Sequence, residues 1–168
     1  HIGTAAPIHQ LDAYPPGIVT LNYIMLRWFH NPAEGPTTVI PSIRIMSILA
    51  TLGTLIVVAL LAERAAGPLA GLLAGWLYAV GTVHVEEARL ANADTFVGFF
   101  SVLAVYVALL AAAYHSNRMT IWSVLVLIMA IIFKWQAVVY AAVVMGLPLM
   151  RLYRATREDR RSVLQNII

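Results

Sequence analysis

Residues 84–94 read His-Val-Glu-Glu-Ala-Arg-Leu-Ala-Asn-Ala-Asp and set three carboxylates, Glu86, Glu87 and Asp94, around the single guanidinium of Arg89 between two apolar runs. Further along, Lys134 stands alone between two more apolar stretches. Cations beside a membrane surface pair with a phosphate or diphosphate, and a neighbouring carboxylate can take the proton of an acceptor hydroxyl or amine. Asp94, Glu86 and Glu87 are also the residue types that hold a divalent cation, and no other cofactor is indicated. The plainer reading of Glu86, Glu87 and Arg89 is a solvated loop with its own internal ion pairs.

Whatever these side chains do, apolar helices must position them. Of the 168 residues, 61% are hydrophobic and 11% charged, and the mean hydropathy is +0.80. A soluble domain carries roughly a quarter of its residues as charges, so this chain belongs in a bilayer. At ~20 residues per crossing its length allows four or five crossings and excludes a large soluble enzyme. The absence of cysteine excludes disulfide frameworks, thiolate metal sites and a cysteine nucleophile. The net charge of +3 indicates no nucleic-acid partner, because the basic residues lie at membrane borders instead of on one soluble face.

The fold class expected is all-α: a polytopic membrane protein of about five transmembrane helices plus one interfacial helix. Residues 1–41 read as an external loop containing that interfacial helix at about 15–30, opened by Tyr14-Pro15-Pro16-Gly17, with Pro suited to a first helical turn. The run 18–29 is too short to span; Thr20 and Arg27 share one face of it and Ile18, Leu21, Ile24, Met25 and Trp28 cover the rest. Residues 42–153 form the helix bundle and 154–168 a charged cytoplasmic segment. Crossings are expected at 45–62, 67–83 and 95–113, the last with Asp94 as its N-cap. Gly67, Gly71 and Gly75, followed by Ala79, place a small residue at every fourth position, a face that packs closely on another helix, including one of a separate membrane protein. The stretches 121–133 and 137–150 are short for spans and suit a hairpin. One continuous helix would bury Lys134 at its middle at roughly 2.5–3.5 kcal/mol.

Seven of the eleven basic residues, Arg64, Arg118 and the five arginines of the tail, fall on one side of this arrangement; Arg27, Arg44, Arg89 and Lys134 fall on the other. The first side is therefore cytoplasmic, and the second, external side gathers Asp12, Glu34, Glu86, Glu87 and Asp94. The sequence opens on His1 without a leader and is expected to be part of a longer protein.

The order of these features resembles the C-type membrane glycosyltransferases, the superfamily of protein O-mannosyltransferases and lipid A aminoarabinose transferases. The resemblance runs over about residues 12–150. It is carried by Tyr14-Pro15-Pro16 with its amphipathic helix, Arg44 at a crossing, the Gly67-rich helix and Ala88-Arg89-Leu90-Ala91-Asn92-Ala93-Asp94 followed by Thr95-Phe96-Val97-Gly98-Phe99-Phe100. Ile131-Ile132-Phe133-Lys134 and Gly146-Leu147-Pro148 complete it. It implies an inverting transfer of a sugar from a polyprenyl-phosphate carrier to a protein, lipid or glycan acceptor on the external face of a bacterial cytoplasmic membrane. It implies catalytic positions at Asp94 and Arg89, a donor-phosphate contact at Lys134, and acceptor or metal contacts at Glu86 and Glu87. The family's carboxylate base is expected upstream of His1. The family usually has His or Lys before the Pro-Pro pair; here Tyr14 stands instead, so that cation is absent. The strongest alternative is a non-catalytic accessory subunit of a larger membrane complex. A haem protein would need histidines within the spans and a transporter repeated halves and midplane charges, and this sequence shows none of these.

Overall fold

A computed structural model describes Gly17, Thr20, Tyr23, Ile24, residues 39–90, 93–150 and Tyr153; at 39–43 and 88–90 it describes the backbone alone. The described residues are helical throughout apart from short connections. In chain order they form α1 (Val39–Ala66), α2 (Pro68–Val80), α3 (Thr82–Leu90), α4 (Ala93–Ala113), α5 (Asn117–Phe133) and α6 (Trp135–Met150), whose first turns, Trp135–Tyr140, are 3-10. The all-α membrane class read from composition is what the structure shows.

Residue size sorts these helices in the opposite sense from a water-soluble bundle. Ala104, Ala108, Ala111, Ala130, Ala137, Ser47, Ser101 and Ser123 are buried, while Leu69, Leu72, Trp76, Val139 and Trp122 are largely exposed. In water such an apolar exterior would be a severe liability. In lipid it is the outer surface, and small residues inside let the helices approach closely. Among the described residues the Ser47 and Ser101 hydroxyls are buried without a hydrogen-bond partner, whereas the threonine hydroxyls of α1 bond to their own helix: Thr51 donates to the Ser47 carbonyl at 3.0 Å and Thr54 to that of Ala50 at 2.9 Å. These bonds satisfy polar groups where no water is available.

Among the described residues two helices, Arg44–Ala66 and Ala93–Ala113, are long and apolar enough to cross a bilayer. The first begins earlier than expected because Pro41 is tolerated in a first turn. The second expected crossing, 67–83, is corrected to a helix of 13 residues, Pro68–Val80, about 20 Å long. Gly81 breaks it, and Thr82–Leu90, of which 82 and 83 were expected in the crossing and 84–90 in a loop, is the separate helix α3. His84 folds back across this break to stack on Tyr78, with ring centroids 3.9 Å apart.

The glycine stripe is used within the chain. Gly67 has φ +89 and forms the turn between α1 and α2, while Gly71 and Gly75 are buried against α1. A Cβ at 71 would stand 2.9 Å from the Ala59 carbonyl oxygen; one at 75 would meet the Ala59 side chain at 3.4 Å. Gly71 and Gly75 thus form the close-packing face expected and α1 of the same chain packs on them, while Gly67 lies in the turn, where a Cβ would meet nothing within 4 Å.

α4 closes at His115, which has φ +53, with the Ser116 N–H bonded to the Ala111 carbonyl at 3.1 Å. This six-to-one bond is the Schellman pattern. Ser116 then caps α5 by accepting from the Met119 N–H. α5 and α6 fold as the expected hairpin: Val144 joins Ala104, Ala108 and Leu127 in one buried cluster, and Val144 and Pro148 lie beside Ser123 and Thr120.

The lip of the helix bundle as candidate functional site

Lys134 sits at the hairpin's apex. Its φ of −162° and ψ of 123° are extended, and its N–H still bonds to the Ala130 carbonyl at 3.0 Å, so the α5 helix ends there in a fixed geometry. Asp94 lies in the first turn of α4. The N-cap expectation is corrected, because the helix already begins at Ala93. A carboxylate in the first turn still faces the positive end of the helix dipole.

The two side chains meet: Lys134 Nζ donates to Asp94 Oδ1 at 2.5 Å. Their side chains are 33% and 38% exposed, so the pair is reachable from one end of the bundle. Directly beneath it lies an aromatic floor. Phe133 stacks between Phe96, at 5.1 Å, and Phe100, at 5.7 Å, with Ala50 of α1 completing the buried cluster. Each stacked ring is close in sequence to one partner of the ion pair, so packing in the core sets where the charges stand. Gly53 permits the adjacent contact, since a Cβ there would lie within 3 Å of the Phe99 ring.

α3 is tied to this lip by Thr95, whose hydroxyl donates to the Glu87 carbonyl at 3.4 Å. Glu86 is exposed and Glu87 half-buried. Neither joins Asp94 in a cluster of metal-binding size; among the described residues no three of His, Cys, Asp and Glu come together in that way. The side chain of Arg89 lies outside the described residues, as do Asp12, Arg27, His30, most of the interfacial helix and, except for Tyr153, the tail beyond Met150. The described positions of the interfacial segment, Gly17, Thr20, Tyr23 and Ile24, are helical.

At the far end of the bundle Arg64 lies over the rings of Tyr106 and Tyr114, at 5.7 and 6.0 Å from their centroids. The two ends therefore differ in chemistry: one offers an acid and a cation to solvent, and at the other Arg64 sits against aromatic faces. Sequence reasoning missed the aromatic floor. Its letters stand in Thr95-Phe96-Val97-Gly98-Phe99-Phe100 and Phe133-Lys134, but nothing in their local pattern says that Phe96 and Phe133 meet.

The model of the family described as dolichyl-phosphate-mannose-protein mannosyltransferase matches residues 37–167, which takes in α1 to α6 and both members of the ion pair. No curated protein and no solved structure matches the chain significantly. The chain belongs to the dolichyl-phosphate-mannose-protein mannosyltransferase family, integral membrane glycosyltransferases whose sugar arrives on a polyprenyl phosphate.

Proposed function

We propose that this chain supplies the donor-binding lip of an inverting glycosyltransferase that works on the non-cytoplasmic face of its membrane. The observation that carries this reading is the pairing of Lys134 with Asp94 at one end of the bundle. An ammonium has three N–H donors, so Lys134 can bond the donor's phosphate oxygens while Asp94 orients it. The carrier's isoprenoid chain lies in the bilayer beside the apolar helices and presents its phosphate at the lip.

In the transfer, the bond between the sugar's anomeric carbon and the phosphate oxygen breaks, and the electron pair leaves with the polyprenyl phosphate. The acceptor oxygen or nitrogen forms its bond to the opposite face of that carbon, and its proton passes to a carboxylate. Lys134 stabilises the charge that grows on the departing phosphate, an effect strongest where the cation is already held in place. Asp94 accepts a hydrogen bond from the acceptor and helps to aim it; Arg89 supports the site from α3. Glu86 and Glu87, on the same helix, contact the acceptor.

Asp94→Asn and Arg89→Ala in the full-length protein test this reading. Each is expected to abolish sugar transfer while membrane insertion is kept; wild-type turnover in either would remove that residue from the site.

A further inference from the structure

We propose that Gly17 is a positioning residue for Lys134, an inference that rests on the donor-site reading above. Gly17 is buried and helical, whereas Thr20, Tyr23 and Ile24 on the same segment are exposed. It faces the hairpin apex. A Cβ on Gly17 would stand 2.7 Å from the Ile132 carbonyl oxygen, 2.9 Å from the Ile132 carbonyl carbon and 3.0 Å from the Phe133 Cα. All three are backbone atoms, so no change of rotamer relieves the clash.

The requirement at this position is for size. Among the described residues Gly67 is the glycine with positive φ; Gly17 is not. Its neighbours have little room to retreat. The Phe133 ring is held between Phe96 and Phe100, and the next residue, Lys134, is pinned through its N–H to Ala130. A side chain at 17 must therefore either press the apex into the aromatic floor or lift the surface segment away from it. Either movement alters the backbone that immediately precedes the donor-binding cation. Gly17 thus couples the segment opened by Pro15-Pro16 to the position of Lys134.

The test uses the full-length protein carrying Gly17→Ala, with Gly17→Ser as a second small variant, and Gly98→Ala as control, since a Cβ at 98 meets nothing within 4 Å. A nitroxide attached through a cysteine at the exposed position Gln136 reports on the apex, and kinetics with a polyprenyl-phosphate sugar report on the site. Both Gly17 variants should change the nitroxide spectrum and raise the donor KM about tenfold while leaving the acceptor KM unchanged; Gly98→Ala should do neither. An unchanged spectrum would overturn the contact, and a changed spectrum with a wild-type donor KM would overturn the role in donor binding. Truncating Ile132 to Ala should not rescue Gly17→Ala, because the clash is with backbone; rescue would also contradict the proposal. Failure of the donor-site reading is seen separately, as an unaltered donor KM in Lys134→Ala with Gly17 intact, and the spectrum then still decides whether Gly17 holds the apex.

Discussion

Phe133 stacks on Phe96 with their planes 15° apart, and the residue after the first ring is Lys134 while Asp94 lies two residues before the second. The ion pair at the lip is thereby placed by an apolar contact just below it. Removing the ring should cost both stability and function. Phe133→Ala is expected to destabilise the protein by about 3–5 kcal/mol, the usual range for emptying a buried aromatic site. Trp135→Ala, at a residue 71% exposed, should leave the melting temperature nearly unchanged. Thermal unfolding of the two variants in detergent compares them directly.

Because Asp94 and Lys134 are each about a third exposed, their pairing should contribute only about 1 kcal/mol or less to stability. A role in transfer predicts a different proportion. Exchanging the charges, Asp94→Lys with Lys134→Asp, should preserve the melting temperature yet lower turnover about a hundredfold, the scale of losing one preorganised electrostatic contact. Recovery of turnover in the exchanged protein would make the pair a structural strut.

The glycines of α2 should respond unequally. Gly71→Ala drives a Cβ to 2.9 Å from a backbone oxygen and should cost roughly 1–3 kcal/mol. Gly75→Ala meets a side chain at 3.4 Å and should be close to neutral. Gly98→Ala, in open space within α4, should gain about 0.5–1 kcal/mol from helix propensity. Unfolding midpoints of the three variants should rank accordingly, with Gly71→Ala lowest.

Sidedness is open to labelling. Cysteines introduced at the exposed positions Glu86 and Gln136 should react with a membrane-impermeant maleimide added outside the cell, and those at Tyr114 and Arg118 only after the membrane is permeabilised. Labelling of all four from one side would contradict the up-and-down course of α4 and α5.

The helical architecture was legible because apolar run length is a one-dimensional signal. The break at Lys134 was legible for a related reason: a lysine in mid-membrane is costly enough to force a hairpin. α3 was not. Its residues are mixed in polarity, and a short polar helix has the composition of a loop until packing against α1 and the bond from Thr95 fix it. Asp94 and Lys134 could each be singled out by charge, and positive-inside counting put them on one side. Their contact depends on Phe96 meeting Phe133, a long-range register that local pattern does not encode. The glycine stripe was legible as a packing face, but the identity of its partner, α1, followed only from the turn at Gly67.

The donor KM of Lys134→Ala, set beside that of Lys134→Arg in the full-length protein with a polyprenyl-phosphate sugar, tests the central claim most directly. If the ammonium at the lip holds the donor phosphate, Lys134→Ala should raise the donor KM at least tenfold, corresponding to about 1.4 kcal/mol of lost binding, and Lys134→Arg should restore much of it. A wild-type donor KM in Lys134→Ala would contradict that claim.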